Sequence, residues 1–422
     1  MVKMENPLNA WLGELPDDWE KRKLKYVFSI KKDIAGEEGH TVLSITQQGI
    51  VPKKMDEKGQ FAADYSKYQL VQPGDFAMNH MDLLTGWVDI SEYDGVTSPD
   101  YRVFVLNDKK NYCAEYFKYI FQLCYKHRIF YSLGQGVAGF GRWRLPADMF
   151  LNFVLPIPPY DEQKEIASVL EHDISIIDSS IQEMQDSIDE YKLLKASRIH
   201  EIVSGGECNT ENKYSGYADV GDIPKHWRVG RIKDIYEIVC GATPRDNEEF
   251  WKDGTISWVG PADMPMFGDI SYGKRFITEA GYASCGTTIV PRGTIVMSTR
   301  APIGKICIAE NELCTNQGCK SLVNKDKSVN NQFMKYYLFS IIERLQQDGT
   351  GVTFKELSTR NLAVEPVLIP PIEEQNKIAE KLNSECSFYD DLIAEKMKLI
   401  DELEKYKISA IYELVTGKRR VV

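Results

Sequence analysis

Leu170, Ile174, Ile177, Ile181, Met184, Ile188 and Tyr191 recur at alternating steps of four and three. That spacing lays one apolar stripe along a helix in heptad fashion. A second stripe, shifted by 212 residues, reads Leu382, Cys386, Tyr389, Ile393, Lys396, Ile400 and Leu403, with one polar interruption at Lys396. Each stripe follows a Pro-Pro pair, in "LPIPPYDEQKEIASVLEHD" (155–173) and "VLIPPIEEQNKIAEKLNSE" (367–385). The prolines disfavour helix before them and permit one to start with them, and acids fill the first turn, where the macrodipole favours negative charge. The pattern predicts two helices, 160–203 and 372–415, each roughly 66 Å long at about 1.5 Å per residue. Neither can bury its stripe alone. The economical arrangement pairs them antiparallel, with a globular module at each end and pseudo-twofold symmetry. Homodimerisation through the same stripes is the alternative, and both can hold in different assembly states.

Outside these helices the pattern shortens. Strands and turns are expected in 41–52, 74–81, 100–107, 254–264, 293–310 and 319–325, and amphipathic helices at 113–133 and 330–347, each followed by a Gly-containing loop.

The two halves are an internal duplication. "LGELPDDWEKRKLKYVFSI" (12–30) pairs with "VGDIPKHWRVGRIKDIYEIV" (220–239), matching Gly13 with Gly221, Pro16 with Pro224 and Trp19 with Trp227. Glu162-Gln163 match Glu374-Gln375, and the helix ends match at Gly205 and Gly417. Between these anchors only faint echoes survive, such as "GQGV" with "GTGV" and "PGDFAMN" with "PRGTIVMS". Like frames around unlike interiors suggest two modules of one architecture with separate specificities; drift without function is the other reading.

Charge changes the picture less than its total implies. The chain of 422 residues carries a net −11, which by itself argues against a nucleic-acid partner. The two helical segments hold 11 acids against 4 bases and 11 acids against 6, together −12. The remainder is therefore close to neutral, with room for local basic surfaces. No window approaches a membrane span and the N-terminus lacks the apolar core of a signal peptide, so a cytoplasmic protein is expected. Nine scattered cysteines fit reduced thiols, with Cys314 and Cys319 expected in or beside strands as small hydrophobes.

Catalytic signatures are missing. Pro158-Pro159-Tyr160 hints at the polar-Pro-Pro-aromatic motif of adenine methyltransferases, but Ile157 stands where a polar donor is needed and the second copy ends in Ile372. Both are better read as helix starts. "GQGVAGFG" lacks the Lys-Ser/Thr pair of a phosphate loop and a preceding strand, the six histidines are dispersed, and neither Cys-x-x-Cys nor Gly-x-Ser-x-Gly occurs. The chain is built to bind rather than to react, with no catalytic, cofactor-binding or metal site expected.

"LPDDWEKRKLKYV" and "IPKHWRVGRIKDI" opening the modules, "VTSPDYRVF" in the first, "TISWVGPADM" and "GTIVMSTRAPIGKICIA" in the second, and "IPP(Y/I)(D/E)EQ" opening each helix appear in an order that resembles the DNA-specificity subunit of type I restriction-modification systems over essentially the whole chain. The resemblance implies an α+β fold with two pseudo-twofold-related target recognition domains, 1–156 and 207–368, joined by two long antiparallel coiled-coil spacer helices, 157–206 and 369–417. Each domain would read one half of a bipartite, asymmetric sequence in double-stranded DNA, and the helices would set the unread spacer. It further implies two methylation subunits docked on the helix pair and a restriction/translocase subunit, with no membrane partner. S-adenosylmethionine, ATP and Mg would sit on those partners, which carry the adenine-N6 methyltransferase and ATP-dependent endonuclease activities; this chain would hold no cofactor and perform no catalysis. A coiled-coil interaction scaffold without sequence-specific DNA binding is the competing reading, and an enzyme acting alone a third.

The family has no fixed base-reading motif, so the DNA contacts rest on residue chemistry. In "GQGVAGFGRWRLP" (134–146), Gln135, Arg142 and Arg144 surround Trp143 after glycines that permit close backbone approach. The counterpart "GTGVTFKELSTRN" offers Lys355 and Arg360, while Ser298, Thr299 and Arg300 at one strand end match Asn79 and His80 at the other. Each is equally at home as a solvated loop residue or in a structural ion pair. The run Lys21, Arg22, Lys23 and Lys25 is a phosphate patch or a solvent-facing strand edge. Two readers on one side of B-DNA want centres about one turn apart, roughly 34–36 Å. The longer rod therefore requires modules packed against its flanks, or bent DNA.

Overall fold

The computed structural model describes residues 8–53, 64–136, 143–208, 210–300, 302–349 and 356–421. It divides into two compact units, Met1–Gln185 with Met397–Val422, and Asp186–Lys396. Each contains one globular module and half of each long helix, so unit 2 is continuous in sequence and unit 1 is not.

In unit 1 a four-stranded antiparallel sheet runs in the order Phe28–Lys31, Arg102–Leu106, Phe76–Met78, Val88–Ile90. Helix Ala114–Lys126 buries Phe117, Ile120, Phe121 and Cys124. Phe28 stands at the centre of the aromatic core, its ring centroid 5.3 Å from those of Phe76 and Phe117 and 5.4 Å from Phe104. These are edge-on contacts, the geometry that ring quadrupoles favour.

Unit 2 keeps the three matching strands, Tyr236–Cys240, Cys319–Asn324 and Ile295–Ser298, in the same order. It adds Ile306–Ala309 and Phe267–Ile270 to that sheet, and a second sheet of Arg275–Ile277, Ile256–Val259 and Cys314–Thr315. Cys314 and Cys319 are buried in strands, and burial pushes their thiols up to about 11 and about 12. The two expected amphipathic helices are each broken. The first splits into Ala114–Lys126 and Ile129–Ser132 around Arg128, which is left-handed at φ 56°, and the second into Asn331–Ser340 and Ile342–Gln347. The break after Lys126 turns Phe130 onto Phe150 and Phe153, contacts that an unbroken helix would carry elsewhere.

The long helices span Tyr160–Val203 and Ile372–Val415, 44 residues each. Within unit 2, Tyr191 meets Tyr389, Lys195 bonds Asp390 at 2.6 Å and Arg198 bonds Glu385 at 2.8 Å. Numbering rises on one helix as it falls on the other, so the pair is antiparallel. Unit 1 shows the same sense, with Asp173 near Arg419 and Asp178 bonded to Lys407. Leu170, Ile177, Ile181, Ile188, Leu382 and Cys386 are buried, while Ile174, Met184, Tyr191, Tyr389, Ile393, Ile400 and Leu403 are half-buried. Lys396 keeps its place in the stripe by setting its ammonium 5.6 Å from the centre of the Tyr191 ring. In unit 1 the module lies along the flank of the helices: Ile166, Leu170, Ile411, Leu414 and Val415 belong to its core.

The repeat anchors hold the same frame in both units. In unit 1 the Trp19 indole donates to Glu162 at 3.0 Å, and in unit 2 the Trp227 indole donates to Glu374 at 3.1 Å. Each ring also lies against the glycine ending the other long helix. A Cβ on Gly417 would sit 3.4 Å from Trp19 and 2.5 Å from Pro16; one on Gly205 would sit 3.4 Å from Trp227 and 2.5 Å from Pro224. Both glycines are left-handed, at φ +71° and +87°. Gln163 and Gln375 complete the match, each accepting from a module backbone amide and donating to the carbonyl of the first proline, Pro158 or Pro370.

Candidate nucleic-acid interface

Asn79, His80, Ser298, Thr299 and Arg300 fall at the ends of the matching central strands, and strand register sets the residues of one unit in correspondence with those of the other. Met78 pairs with Arg102 as Met297 pairs with Lys320, and the amide of Leu145 donates to the His80 carbonyl as that of Leu357 donates to the Thr299 carbonyl. Arg102 therefore corresponds to Lys320, His80 to Thr299, and Arg144 to Glu356.

In unit 1 these residues line a cavity of about 370 Å³ formed by His80, Arg102, Gln135, Arg144 and the start of the next short helix. Arg102 is 5 % exposed. Its guanidinium donates to the Leu145 carbonyl at 3.0 Å and stacks 4.5 Å from the Phe150 ring centre, while Nη1 has no hydrogen-bond partner among the described residues. It makes no ion pair there either, and burial lowers its ordinary value of 12.5 to about 10. His80 Nδ1 is also buried without a partner, and burial, followed by the charges of Arg102 and Arg144, drops the imidazole from 6.5 to about 3. Gln135 and Arg144 exchange two backbone hydrogen bonds, at 2.9 and 3.1 Å, which bring their exposed side chains to the cavity mouth.

Unit 2 places a cavity of about 490 Å³ at the corresponding position, lined by Arg300, Gln317, Lys320, Glu356 and Ser358 among others. Here the buried cation is answered. Lys320, 4 % exposed, donates to Thr299 Oγ1 at 3.2 Å and lies 3.7 Å from Glu356, which also accepts from Arg300 Nε at 2.9 Å.

The other expected contacts are distributed differently. Ser298 and Thr299 are fully buried: Ser298 donates to the Pro302 carbonyl and accepts from Lys305, and Thr299 donates to Gly318. Their hydroxyls hold the strand end together and do not face outward. Asn79 accepts from the Met81 amide through its side chain and from Tyr125 through its carbonyl, shaping the turn before His80. Arg300 is exposed but paired to Glu356, and Arg360 is exposed in the first turn of helix Thr359–Val364. Arg142 and Lys355 lie outside the described residues. Gly134 is explained by packing rather than by an approaching duplex, since a Cβ there would lie 2.3 Å from the Trp143 indole nitrogen, which donates to Tyr131. Lys21, Arg22 and Lys23 lie on exposed strand Glu20–Lys23, which pairs with Val154–Ile157, and Arg22 is bonded to Glu20 and Tyr112.

Sequence reasoning missed Arg102 and Lys320. The available signal was a single basic residue at the head of a strand-like run in both halves, "RVFVL" and "KSLV". Among the described residues no group of acids, histidines and cysteines is placed to hold a metal ion, and no helix is long and apolar enough to cross a membrane.

The family model for the type I restriction modification DNA specificity domain matches twice, at residues 16–185 and 224–405. The chain is 42 % identical over 193 residues to the MjaIX type I restriction enzyme specificity subunit of Methanocaldococcus jannaschii, a match covering 44 % of this chain and 43 % of that protein. It is 26 % identical to the putative MjaX specificity subunit of the same organism, over 99 % of this chain and 98 % of that one. A solved chain from work on complex assembly and conformational transition of the type I R-M system shares its fold, with TM-score 0.73 and 15 % identity over 96 % of this chain and 100 % of that one. With two domain matches, one on each module and its spacer helix, the chain belongs to the type I restriction-modification DNA specificity subunits.

Proposed function

We propose that each unit reads one half of a split, asymmetric DNA sequence, that the paired helices fix the unread spacer, and that the same helices seat two methylation subunits. Those subunits would bring S-adenosylmethionine and the adenine chemistry, and a restriction/translocase subunit would bring ATP, Mg and cleavage; this chain positions them and performs no bond-making step. One observation carries the reading. An identical frame, Trp to Glu to the glycine of the opposite helix, holds two modules whose corresponding cavities differ in charge, with Arg144 in one where Glu356 stands in the other. A scaffold needs the frame but has no use for the divergence.

The test is adenine-methylation mapping of genomic DNA from cells that co-express the chain with the methylation subunit of its own genome, against cells lacking the chain. A bipartite motif that appears only with the chain is the expected result, and exchanging one module should change one half-site alone. A stable complex that binds DNA without preference and deposits no methyl groups would establish the scaffold instead.

A further inference from the structure

We infer that the Arg102 cavity of unit 1 is a fixed seat for one DNA backbone phosphate, and that the corresponding cavity of unit 2, closed electrically by Glu356, is not; the inference rests on the DNA-reading function proposed above. Arg102 is a desolvated cation with an unused donor, held by a backbone carbonyl and a ring face. Leaving such a charge uncompensated is costly, and a single full anion in the cavity that Arg102 and Arg144 line reduces the penalty through its charge. Arg144 at the mouth adds a second positive charge where unit 2 carries a carboxylate, so the ligand must be more than a neutral acceptor. A guanine edge offers oxygen and nitrogen acceptors but no charge, whereas a phosphodiester offers both. His80 lines the same cavity and stays neutral in this setting, so it adds no charge that would compete for the anion.

The matched strand register makes unit 2 an internal control for unit 1. Lys320 occupies the Arg102 place, yet it already has Thr299 Oγ1 and Glu356 as partners. An anion entering that cavity would compete with the Glu356 carboxylate, which already engages both Lys320 and Arg300. The first recognition unit thus anchors the duplex at a point where the second cannot.

The experiment has two arms, both on the full chain. In the first, inorganic phosphate is titrated at constant ionic strength while amide exchange is followed separately in each unit. Protection is expected around 102–104 and 143–146 but not around 356–360, and Arg144→Glu should abolish it. Absence of protection in the wild-type chain overturns the anion site. In the second arm, Arg144→Gln, an exposed position whose change spares the core, is compared with wild type on the mapped target duplex and on scrambled duplexes. Binding should weaken by roughly tenfold at 0.1 M salt on both, and the slope of log K against log salt should shrink by about 0.9, the contribution of one phosphate contact. If discrimination relaxes at one base pair while the salt slope holds, the occupant is a base edge and the phosphate assignment falls. If phosphate protects but DNA affinity is unchanged, the cavity takes free anions and the DNA seat falls. If the wild-type chain and its methylation complex show no sequence preference while phosphate still protects, the DNA-reading function fails and the anion site stands.

Discussion

Arg144 and Glu356 occupy the same place in the two units and carry opposite charge. Around them almost everything is matched: a buried cation on the middle strand, a leucine amide bonded to the carbonyl at the neighbouring strand end, and a short helix following. The strand register fixes where a side chain stands, and it leaves open which charge stands there. Duplication therefore conserved a position and left its chemistry free. The frame behaves in the opposite way, since Trp19 and Trp227, Glu162 and Glu374, Gly417 and Gly205 are alike in identity and in contact.

That contrast can be broken or sharpened by substitution. The largest effects are expected in the frame: Trp19→Ala and Trp227→Ala should each cost about 3–5 kcal/mol through the cavity left behind, similar in both units, as measured by denaturant-dependent amide exchange in the unit carrying the change. A marked inequality between them would break the equivalence of the frames. Next comes Glu356→Ala, which strips the acid from Lys320 and should destabilise unit 2 by about 2 kcal/mol, moderated by the partial exposure of the carboxylate. Arg144→Ala at the same place should do the reverse, raising the stability of unit 1 by about 0.5 kcal/mol through relief of like charge. Equal signs for these two substitutions would refute opposite electrostatics.

The remaining effect is a matter of pH. His80 binds a proton less readily folded, at about 3, than unfolded, near its ordinary 6.5. The unfolded chain therefore takes up more protons between those values, and stability supplied by neutral His80 is complete above about 6.5 and lost as pH falls towards 3. Unit 1 should weaken by up to about 1 kcal/mol per pH unit over that window, a slope that His80→Gln should reduce to what His127 still contributes and that has no His80 counterpart in unit 2, where Thr299 stands in its place. Melting curves of wild type and His80→Gln at pH 5 and pH 7 decide it.

Most of the fold was legible because its signals are periodic or repeated. The heptad stripes locate both long helices, and the Gly, Pro and Trp anchors mark the frame before their contacts are visible. What escaped was set by long-range pairing. The expected helix 113–133 reads as continuous because nothing local signals the left-handed Arg128, whose turn is held by packing of Phe130 onto distant Phe150 and Phe153. Ser298 and Thr299 look like strand-end readers until the loops that bury them are folded over. Arg102 shows the converse: a basic residue in an apolar run gives no hint from composition alone that no acid meets it, because the carboxylate that answers Lys320 comes from a segment 36 residues away.

Unit 2 runs continuously from Asp186 to Lys396, whereas unit 1 needs Met397–Val422 to complete its core and to place Gly417 under Trp19. All of unit 2 is therefore local to one stretch of chain, whereas the core that holds Ile166 and Leu170 is complete only when residues 397–422 fold back onto unit 1. Unit 1 thus carries a long-range chain closure that unit 2 does not, and it is the unit whose folding depends on contacts between segments far apart in sequence.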